Sequence, residues 1–310
     1  MAKTRALKRR IRSVENTRKI TRTMEMVATS KLKRSQDRVV AARPYAKALQ
    51  EALADLLTPE LLERFPLLRQ PAPPAQGGPA VAALLLITSN RGLAGAFNAN
   101  LIRMARTRAQ ELEAAGYTVK LLAVGKKGIK AFQYARRELA VARLDIGDRP
   151  TAQHAIELVE PLAAEFAAGR LASFDVVYAN FRSALSTPPA MLRVLPVEAA
   201  EGRDGGKAGD GHQSAAALPP SRPAANYILA PSADRILEQL LPLYVKNQVY
   251  RALVETAASE QGARRTAMKN ATDNAGEIIG ILNRTYNRAR QAQITQEIAE
   301  IVGGAAAQQG

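Results

Sequence analysis

The sequence predicts a central three-layer, Rossmann-like α/β domain inserted between two long terminal helices that form an antiparallel coiled coil. Three observations predict this architecture. Both ends of the chain are rich in good helix formers and carry apolar residues at steps of three and four. The middle alternates short apolar runs with helical stretches. A segment rich in Gly, Ala and Pro separates the middle from the second long helix.

The first predicted helix covers residues 1–57, where Pro44 is the one proline. Its apolar stripe consists of Leu7, Ile11, Val14, Ile20, Met24 and Val27, with Thr17 in the gap. These steps of three and four suit the narrow seam of a coiled coil. At about 1.5 Å per residue the helix spans roughly 80 Å. A small domain cannot cover such a length, so the helix needs a second long helix as its partner.

The second predicted helix covers residues 226–302 and precedes a tail over residues 303–310. Its stripe consists of Ile278, Ile281, Leu282, Ala289, Ile294, Ile298 and Ile301. Pro242 lacks an N–H, so we expect it to kink or break this helix unless it lies near the start. The alternative to a coiled coil is two separate amphipathic helices, each packed on the middle of the chain.

Between these helices, a connector over residues 58–80 leads into an α/β domain over residues 81–198. Apolar runs of strand length are Val81–Thr88, Val119–Val124, Ala140–Leu144, Phe174–Ala179 and Leu192–Val197, and the helical stretches are Asn98–Ala115, a second ending at Arg137, and Ala152–Ala168. Strands that alternate with helices predict a mostly parallel sheet covered on both faces. In residues 199–225, 16 of 27 residues are Gly, Ala or Pro, which predicts a flexible loop.

The composition excludes several kinds of site. The chain has no cysteine, which rules out disulfides, thiolate metal sites and thiol switches. Its two histidines, His154 and His212, are far apart in sequence, so we expect no histidine metal cluster. No apolar run approaches the roughly 18 residues of a membrane span, and no apolar signal core follows the N-terminus. We therefore expect a soluble, intracellular protein.

The net charge of +16 is concentrated in the first helix. Residues 1–43 hold 14 Lys and Arg against three acidic residues, whereas residues 232–302 hold nine basic and eight acidic residues. A basic helix suits an acidic partner surface, which can be phosphate, anionic lipid or acidic protein. A solvated face that keeps the protein soluble remains the alternative.

The motifs do not predict catalysis. Gly125-Lys126-Lys127-Gly128 follows a predicted strand, but the phosphate-loop signature is absent, so we expect a tight strand-to-helix turn with exposed lysines. There is no Gly-x-Ser-x-Gly, and neither histidine lies in a motif that would make it a general base. The sequence therefore predicts no catalytic, cofactor-binding or metal-binding residues and no cofactor.

Four segments carry a specific family resemblance. They are IRSVENTRKITRTMEMVATSKLKRSQ, ITSNRGLAGAFNANL, PLYVKNQVYRALVE and RQAQITQEIAEIVGGAAA. In these segments the chain resembles the gamma-subunit family of bacterial F-type ATP synthases. The resemblance implies a non-catalytic central-stalk rotor on the cytoplasmic face of the cell membrane. Its implied partners are the alpha and beta subunits of a hexamer, the epsilon subunit and the c-ring of the membrane sector.

The resemblance also implies contacts with the beta subunit, carried over residue by residue. The implied contact residues are Arg290, Gln291, Thr295, Met24, Lys31, Lys33 and Arg34. In the family, the positions of Arg290, Gln291 and Thr295 form a catch that hydrogen-bonds an acidic loop of one beta subunit. The position of Met24 faces the acidic lever segment of beta, and the three basic residues are expected to face the same acidic surface. For those three, a solvated basic helix is the alternative.

Several positions depart from the family's usual pattern. Arg265 stands where the family usually has methionine, and Asn90 and Ala94 replace the usual aspartate and cysteine of the Gly-rich turn. The cysteine pair of the chloroplast form is absent, which excludes thiol control of rotation.

The runner-up function is a basic coiled-coil protein that binds nucleic acid through the first helix. This reading predicts strongly salt-dependent binding, but it gives no account of the nearly neutral second helix. A stand-alone enzyme built on the α/β domain is a third possibility, and it lacks a candidate catalytic group.

Overall fold

The computed structural model describes residues 2–56, 64–71, 74, 77, 80–197 and 233–308. The helices are α1 (Ala2–Leu56), α2 (Phe97–Ala114), α3 (Lys126–Tyr134), α4 (Ala152–Ala167) and α5 (Ala233–Gln308). The strands are β1 (Val81–Ile87), β2 (Thr118–Val124), β3 (Val141–Arg143), β4 (Ser173–Ala179) and β5 (Pro189–Leu195). The predicted loop over 199–225 lies outside the described residues, and the connector over 58–80 lies only partly within them.

The five strands form one sheet in the order β3-β2-β1-β4-β5. β1 pairs in parallel with β2 and β4, and β2 pairs in parallel with β3. β5 is antiparallel to β4 and follows it through a hairpin. Every residue of the inner strand β4 is buried, and so are six of the seven residues of β1. The predicted mostly parallel sheet of a three-layer α/β domain is confirmed.

The last strand lies differently from its prediction. It begins at Pro189 rather than Leu192 and ends at Leu195 rather than Val197. Pro196 explains the earlier end, because a proline has no N–H for the sheet ladder. The earlier start follows from pairing with β4, where Pro189 lies opposite Ala179.

Helices cover both faces of the sheet, as predicted. α2 and α3 lie on one face and contribute Leu101, Ala105 and Phe132 to its core. α4 lies on the other face together with parts of the two long helices. The buried cluster there joins Leu158 and Phe166 of α4, Leu49 and Leu53 of α1, and Leu237, Leu241 and Val245 of α5. Parts of both long helices thus contribute to the core of the α/β unit.

α5 runs without interruption through Pro242, its tenth residue. The expected break is therefore wrong. A proline inside a helix costs about 3 kcal/mol. Leu237, Leu241 and Val245, which flank the proline, are almost completely buried. Burying each such side chain stabilises by about 1.5–3 kcal/mol, so packing outweighs the cost of the proline. α1 likewise continues through Pro44.

The chain divides into two compact units, to which α1 and α5 both contribute. The shaft unit consists of Met1–Leu32, Leu93–Gly95 and Gln261–Gly310. The α/β unit consists of Lys33–Gly92 and Ala96–Glu260.

In the shaft unit, α1 and α5 form an antiparallel pair. Thr4 donates a hydrogen bond to Gln293 at 3.2 Å, and the hydroxyls of Thr21 and Thr272 lie 2.8 Å apart. The α1 residue with the higher number contacts the α5 residue with the lower number, so the two helices are antiparallel. The predicted coiled coil is therefore confirmed over separate helices packed independently on the domain.

The predicted apolar stripes are only partly the seam of this coiled coil. Of the stripe residues, Ile11 and Leu282 are buried and Met24 is half-buried, while Ala28, which was not predicted to be in the stripe, is also buried. Two stripe residues of α1, Ile20 and Val27, are instead exposed. The exposed stripe residues of α5 are Ile278, Ile281, Ile294, Ile298 and Ile301. The sequence spacing predicted the helices correctly but assigned too many apolar residues to their mutual contact.

Among the described residues, no helix has the length and hydropathy needed to cross a membrane.

Candidate functional site

Arg290, Gln291 and Thr295 lie on the part of α5 that belongs to the shaft unit, and all three are exposed. At about 100° per residue, they fall within an arc of roughly 140° on one side of the helix. The hydroxyl of Thr295 donates to the backbone carbonyl of Gln291 at 3.0 Å. This bond uses the hydroxyl proton, so the hydroxyl oxygen is left to accept a hydrogen bond from a partner. The three side chains together can bind a partner's carboxylate or backbone.

The predicted contact residues of α1 have different surroundings. Met24 and Lys31 lie two helical turns apart in the shaft unit, so they share one side of the helix, and both are half-buried. Lys33 and Arg34 lie in the α/β unit and are exposed. The ammonium of Lys33 is 3.0 Å from the carboxylate of Asp37, on side chains 75% and 59% exposed. An exposed pair of this kind is weak, so Lys33 can exchange Asp37 for a partner's carboxylate.

Apolar side chains surround the candidate catch on α5. Ile294, Ile298, Ile301 and Val302 are all about half exposed or more. A contiguous exposed apolar surface usually marks a surface that another protein covers. Basic and apolar side chains therefore lie together at this end of the coiled coil, an arrangement suited to binding a partner.

The Gly-rich turn between β1 and α2 is held by its own side chains. Asn98 accepts hydrogen bonds from the backbone N–H and the hydroxyl of Ser89, at 3.1 and 3.0 Å. Asn90 donates to the carbonyl of Leu144 at 3.0 Å and accepts from the N–H of Lys126 at 2.9 Å. An aspartate could accept the second bond but could not donate the first. The departure at Asn90 therefore links the turn to the loop after β3.

Leu93 lies at the tip of this turn in a strained conformation. Its φ is 61° and its side chain is 60% exposed. A leucine with positive φ costs free energy that the surrounding structure must offset. Ala94 beside it is buried, and Arg265, the other departure from the family pattern, is half-buried. This conformation leaves the apolar side chain of Leu93 open to solvent.

The turn at Gly125 has the structure that the sequence predicts. Gly125 has a φ of 93° and precedes α3, and Lys126 and Lys127 are exposed. A Cβ on Gly125 would lie 2.1 Å from the carbonyl oxygen of Thr88, and one on Gly128 would lie 2.9 Å from the Thr88 hydroxyl. The glycines therefore allow two backbone segments to approach closely, which accounts for them without a phosphate.

A cavity of about 400 Å³ lies beyond the carboxyl ends of β1 and β2, where ligands bind in many open α/β sheets. Here α5 forms one of its walls with Thr256, Ala257 and Glu260. The charged lining residues are Arg91, Asp145, Asp148, Arg149 and Glu260. Both signs of charge are present in the lining, and the Gly-rich turn that adjoins the cavity lacks the phosphate-loop signature.

A group of side chains from the long helices, which the sequence pattern did not predict, binds the carboxyl end of β4. On α5, Thr256 accepts from the N–H of Ala179 at 3.2 Å, and Ser259 donates to the carbonyl of Ala179 at 3.3 Å. Glu255, which is 1% exposed, accepts from the N–H of Phe181 at 3.3 Å. On α1, Arg43 donates to the carbonyl of Phe181 at 3.1 Å. We call these side chains, with Ala179 and Phe181, the strand-end clamp.

The signal for the clamp was present in the sequence. Residues 252–261, ALVETAASEQ, interrupt an apolar helix face with polar side chains, and all ten residues are buried. Polar side chains in a buried helix segment need partners, and the end of a strand has free backbone groups to offer.

Glu255 lies at the centre of the clamp and has a second partner within α5. Its other carboxylate oxygen accepts from Arg251 at 2.7 Å. Burial lowers the pKa of Arg251, but the nearby charge of Glu255 and their hydrogen bond outweigh it, so that pKa is raised. Burial, followed by the charge of Glu255, raises the pKa of Tyr178 to about 12. Tyr178 therefore stays neutral beside the carboxylate at physiological pH.

The comparisons with known proteins agree along the whole chain. The family model described as ATP synthase matches residues 3–308. The chain is 58% identical to the ATP synthase gamma chain of Gemmatimonas aurantiaca, with 100% of both chains covered. It is 43% identical to the ATP synthase gamma chain of Moorella thermoacetica, with 98% of this chain and 99% of that one covered.

Solved structures match the fold. A chain of the Euglena gracilis mitochondrial ATP synthase, in an assembly described as OSCP/F1/c-ring, superposes with a TM-score of 0.67. It is 22% identical, and the match covers 99% of this chain and 94% of that one. A chain from the rotor of the same enzyme gives a TM-score of 0.62 at 21% identity, over 94% and 99% of the two chains. With this fold and the full-length identity to bacterial gamma chains, the chain belongs to the ATP synthase gamma-chain family.

Proposed function

We propose that the chain is the central-stalk rotor subunit of a bacterial F-type ATP synthase, coupling ion flow through the c-ring to conformational cycling of the beta subunits. The full-length identity of 58% to a bacterial gamma chain carries this proposal. The antiparallel coiled coil supports it, because its exposed basic and apolar side chains suit the inside of a hexamer of alpha and beta subunits. The nucleic-acid alternative has no support among the relatives, which are named ATP synthase gamma chains.

The chain itself does no chemistry under this proposal. Its role is to contact the three catalytic sites of the hexamer differently. Three identical sites can differ only if something asymmetric contacts them differently. It belongs at the cytoplasmic face of the cell membrane as a peripheral protein, attached through the c-ring and the epsilon subunit.

The candidate catch can supply enough energy for such coupling. Shifting a site from 1:99 to 99:1 between two conformations needs about 5.5 kcal/mol of differential binding. A hydrogen bond to a charged group contributes about 1.5–3 kcal/mol. Arg290, Gln291 and Thr295 offer several donors and acceptors on one side of α5, so contacts made in one rotor orientation are sufficient. Met24 and Lys31, with Lys33 and Arg34, would meet an acidic beta surface along α1.

The test is rotation in an assembled complex. The chain is combined with the alpha and beta subunits of the same organism, and the hexamer is fixed to a surface. A probe is attached to a cysteine introduced at Tyr134, which is 91% exposed in a chain without other cysteines. We expect unidirectional rotation of the probe on ATP addition. A hexamer that hydrolyses ATP while the bound chain stays still would refute the rotor assignment.

The catch is tested separately by Arg290→Ala combined with Gln291→Ala. We expect ATPase turnover of the complex to fall roughly tenfold, since even one lost charge-assisted hydrogen bond costs about 1.5–3 kcal/mol. Arg12→Ala is the control, because Arg12 is an exposed arginine of the same shaft unit that lies on α1 and so outside the catch. Equal turnover in the double variant and the control would remove the catch assignment.

A further inference from the structure

The carboxyl end of β4 is bound by both long helices at once. Four backbone groups are involved: the N–H and C=O of Ala179 and the N–H and C=O of Phe181. Three of them bind side chains of α5, and the fourth binds Arg43 of α1. We propose that this strand-end clamp is the joint that passes rotation of the α/β domain to both shaft helices. The inference rests on the rotor function proposed above.

The position of the clamp follows from the sheet. Ala179 is the last residue of β4, and β1 pairs with β4 only as far as Val177. Ala179 is 1% exposed, so its N–H and C=O would be buried without partners if the helices supplied none. Buried backbone groups must be paired, and Thr256 and Ser259 supply the partners. Phe181, which is also buried, extends the arrangement by two residues towards α1.

The hydrogen bonds of the clamp resist rotation of the helices about their own axes better than apolar packing does. The other contacts of α1 and α5 with the domain include a cluster of buried aliphatic side chains, among them Leu49, Leu53, Leu241 and Val245. Apolar burial is non-directional, so it resists separation of a helix from the sheet more than rotation of the helix about its own axis. Hydrogen bonds depend steeply on distance and angle. The clamp therefore fixes the rotational setting of both helices relative to the sheet.

The two arms of the clamp differ in strength. The α5 arm is buried and charged, with Glu255 bound both to Phe181 and to Arg251. The α1 arm is Arg43, an exposed side chain, supported one turn earlier by Arg38, which donates to the carbonyl of Asp148 at 3.2 Å. Removing Arg43 therefore weakens the joint on one side without leaving a buried charge, which makes it the better test.

The experiment measures torsional stiffness in the assembled complex. The hexamer is fixed, the enzyme is stalled with a nucleotide inhibitor, and a probe on a cysteine at Tyr134 reports angular fluctuations of the α/β domain. We expect Arg43→Ala to widen the angular distribution and to lower the number of ions pumped per ATP hydrolysed in membranes. Arg43→Lys should restore both values, because a lysine can still donate to the Phe181 carbonyl. Lys47→Ala is the matched control, an exposed cation one turn further along α1 that pairs only weakly with Glu51.

A purely structural role for the clamp would change the thermal stability of the variants but leave the angular distribution at the wild-type width. That result, or equal widening in Lys47→Ala, would overturn the proposal. In the assembled complex, Glu255→Ala should widen the angular distribution further than Arg43→Ala does. A distribution narrower than that of Arg43→Ala would also overturn the proposal. Failure of the rotor function is distinguishable, because the wild-type complex would then show no ATP-driven rotation at all.

Discussion

Replacing Glu255 by alanine is expected to lower the free energy of unfolding of the chain by about 3 kcal/mol. The carboxylate accepts from Arg251 at 2.7 Å and from the N–H of Phe181 at 3.3 Å. Without it, the buried N–H of Phe181 has no acceptor, which costs about 1–3 kcal/mol. The truncated side chain also leaves a cavity. The lost contact with Arg251 contributes less to this cost, because the Arg251 side chain is 38% exposed and water can replace the lost partner.

Guanidinium chloride unfolding of the purified chain measures this change, and the midpoint should fall while the slope stays constant. Glu255→Gln is the matched control. Its amide oxygen still accepts from Phe181, so only the charge towards the partly exposed Arg251 is lost, and we expect a cost of about 1 kcal/mol. If the alanine and glutamine variants unfold at the same midpoint, the hydrogen bond to Phe181 does not stabilise the chain and the reasoning fails.

Two further predictions concern stability in the α/β unit. Gly125→Ala should destabilise the chain by more than about 3 kcal/mol, because it combines a φ of 93° with a Cβ placed 2.1 Å from the Thr88 carbonyl oxygen; a thermal unfolding midpoint close to that of the wild type would contradict this. Hydrogen bonding from Arg143 lowers the pKa of Asp145 to about 2 from its ordinary 3.8. The pair therefore stabilises the fold above about pH 4, and this contribution is lost as the pH falls towards 2. Asp145→Asn should flatten the acid limb of the stability profile, and an unchanged limb would show that the exposed pair contributes nothing.

Much of the fold could be predicted from the sequence because its patterns have clear physical causes. The apolar runs Val81–Thr88 and Phe174–Ala179 correspond to β1 and β4, whose burial on both faces requires nearly continuous apolar residues. The strand-to-helix turn at Gly125 was predictable because glycine there leaves room for Thr88. The end of β5 at Leu195 was not, because Leu192–Val197 reads as one apolar run although Pro196 cannot join the ladder.

Pro242 shows the limit of local rules. A proline inside a helix favours a break, and the sequence alone does not show how strongly packing opposes that break. In the structure, Leu237, Leu241 and Val245 around Pro242 are buried in the domain core, and their burial stabilises the continuous helix. The clamp was missed for a similar reason. Glu255, Thr256 and Ser259 look like ordinary polar helix residues until the end of β4 is known to lie beside them.

The exposed isoleucines of α5 have the same origin. Spacing of three and four residues reports that a helix has an apolar side, but it does not report what covers that side. Leu282 is buried within the chain, whereas Ile294, Ile298 and Ile301 on the same predicted stripe remain exposed. No described residue covers these side chains, and exposed apolar surface of this kind is typical of contacts between proteins. A sequence pattern that looks like a coiled-coil seam thus contains two parts, one that holds the two helices together and one that the described part of the chain leaves exposed.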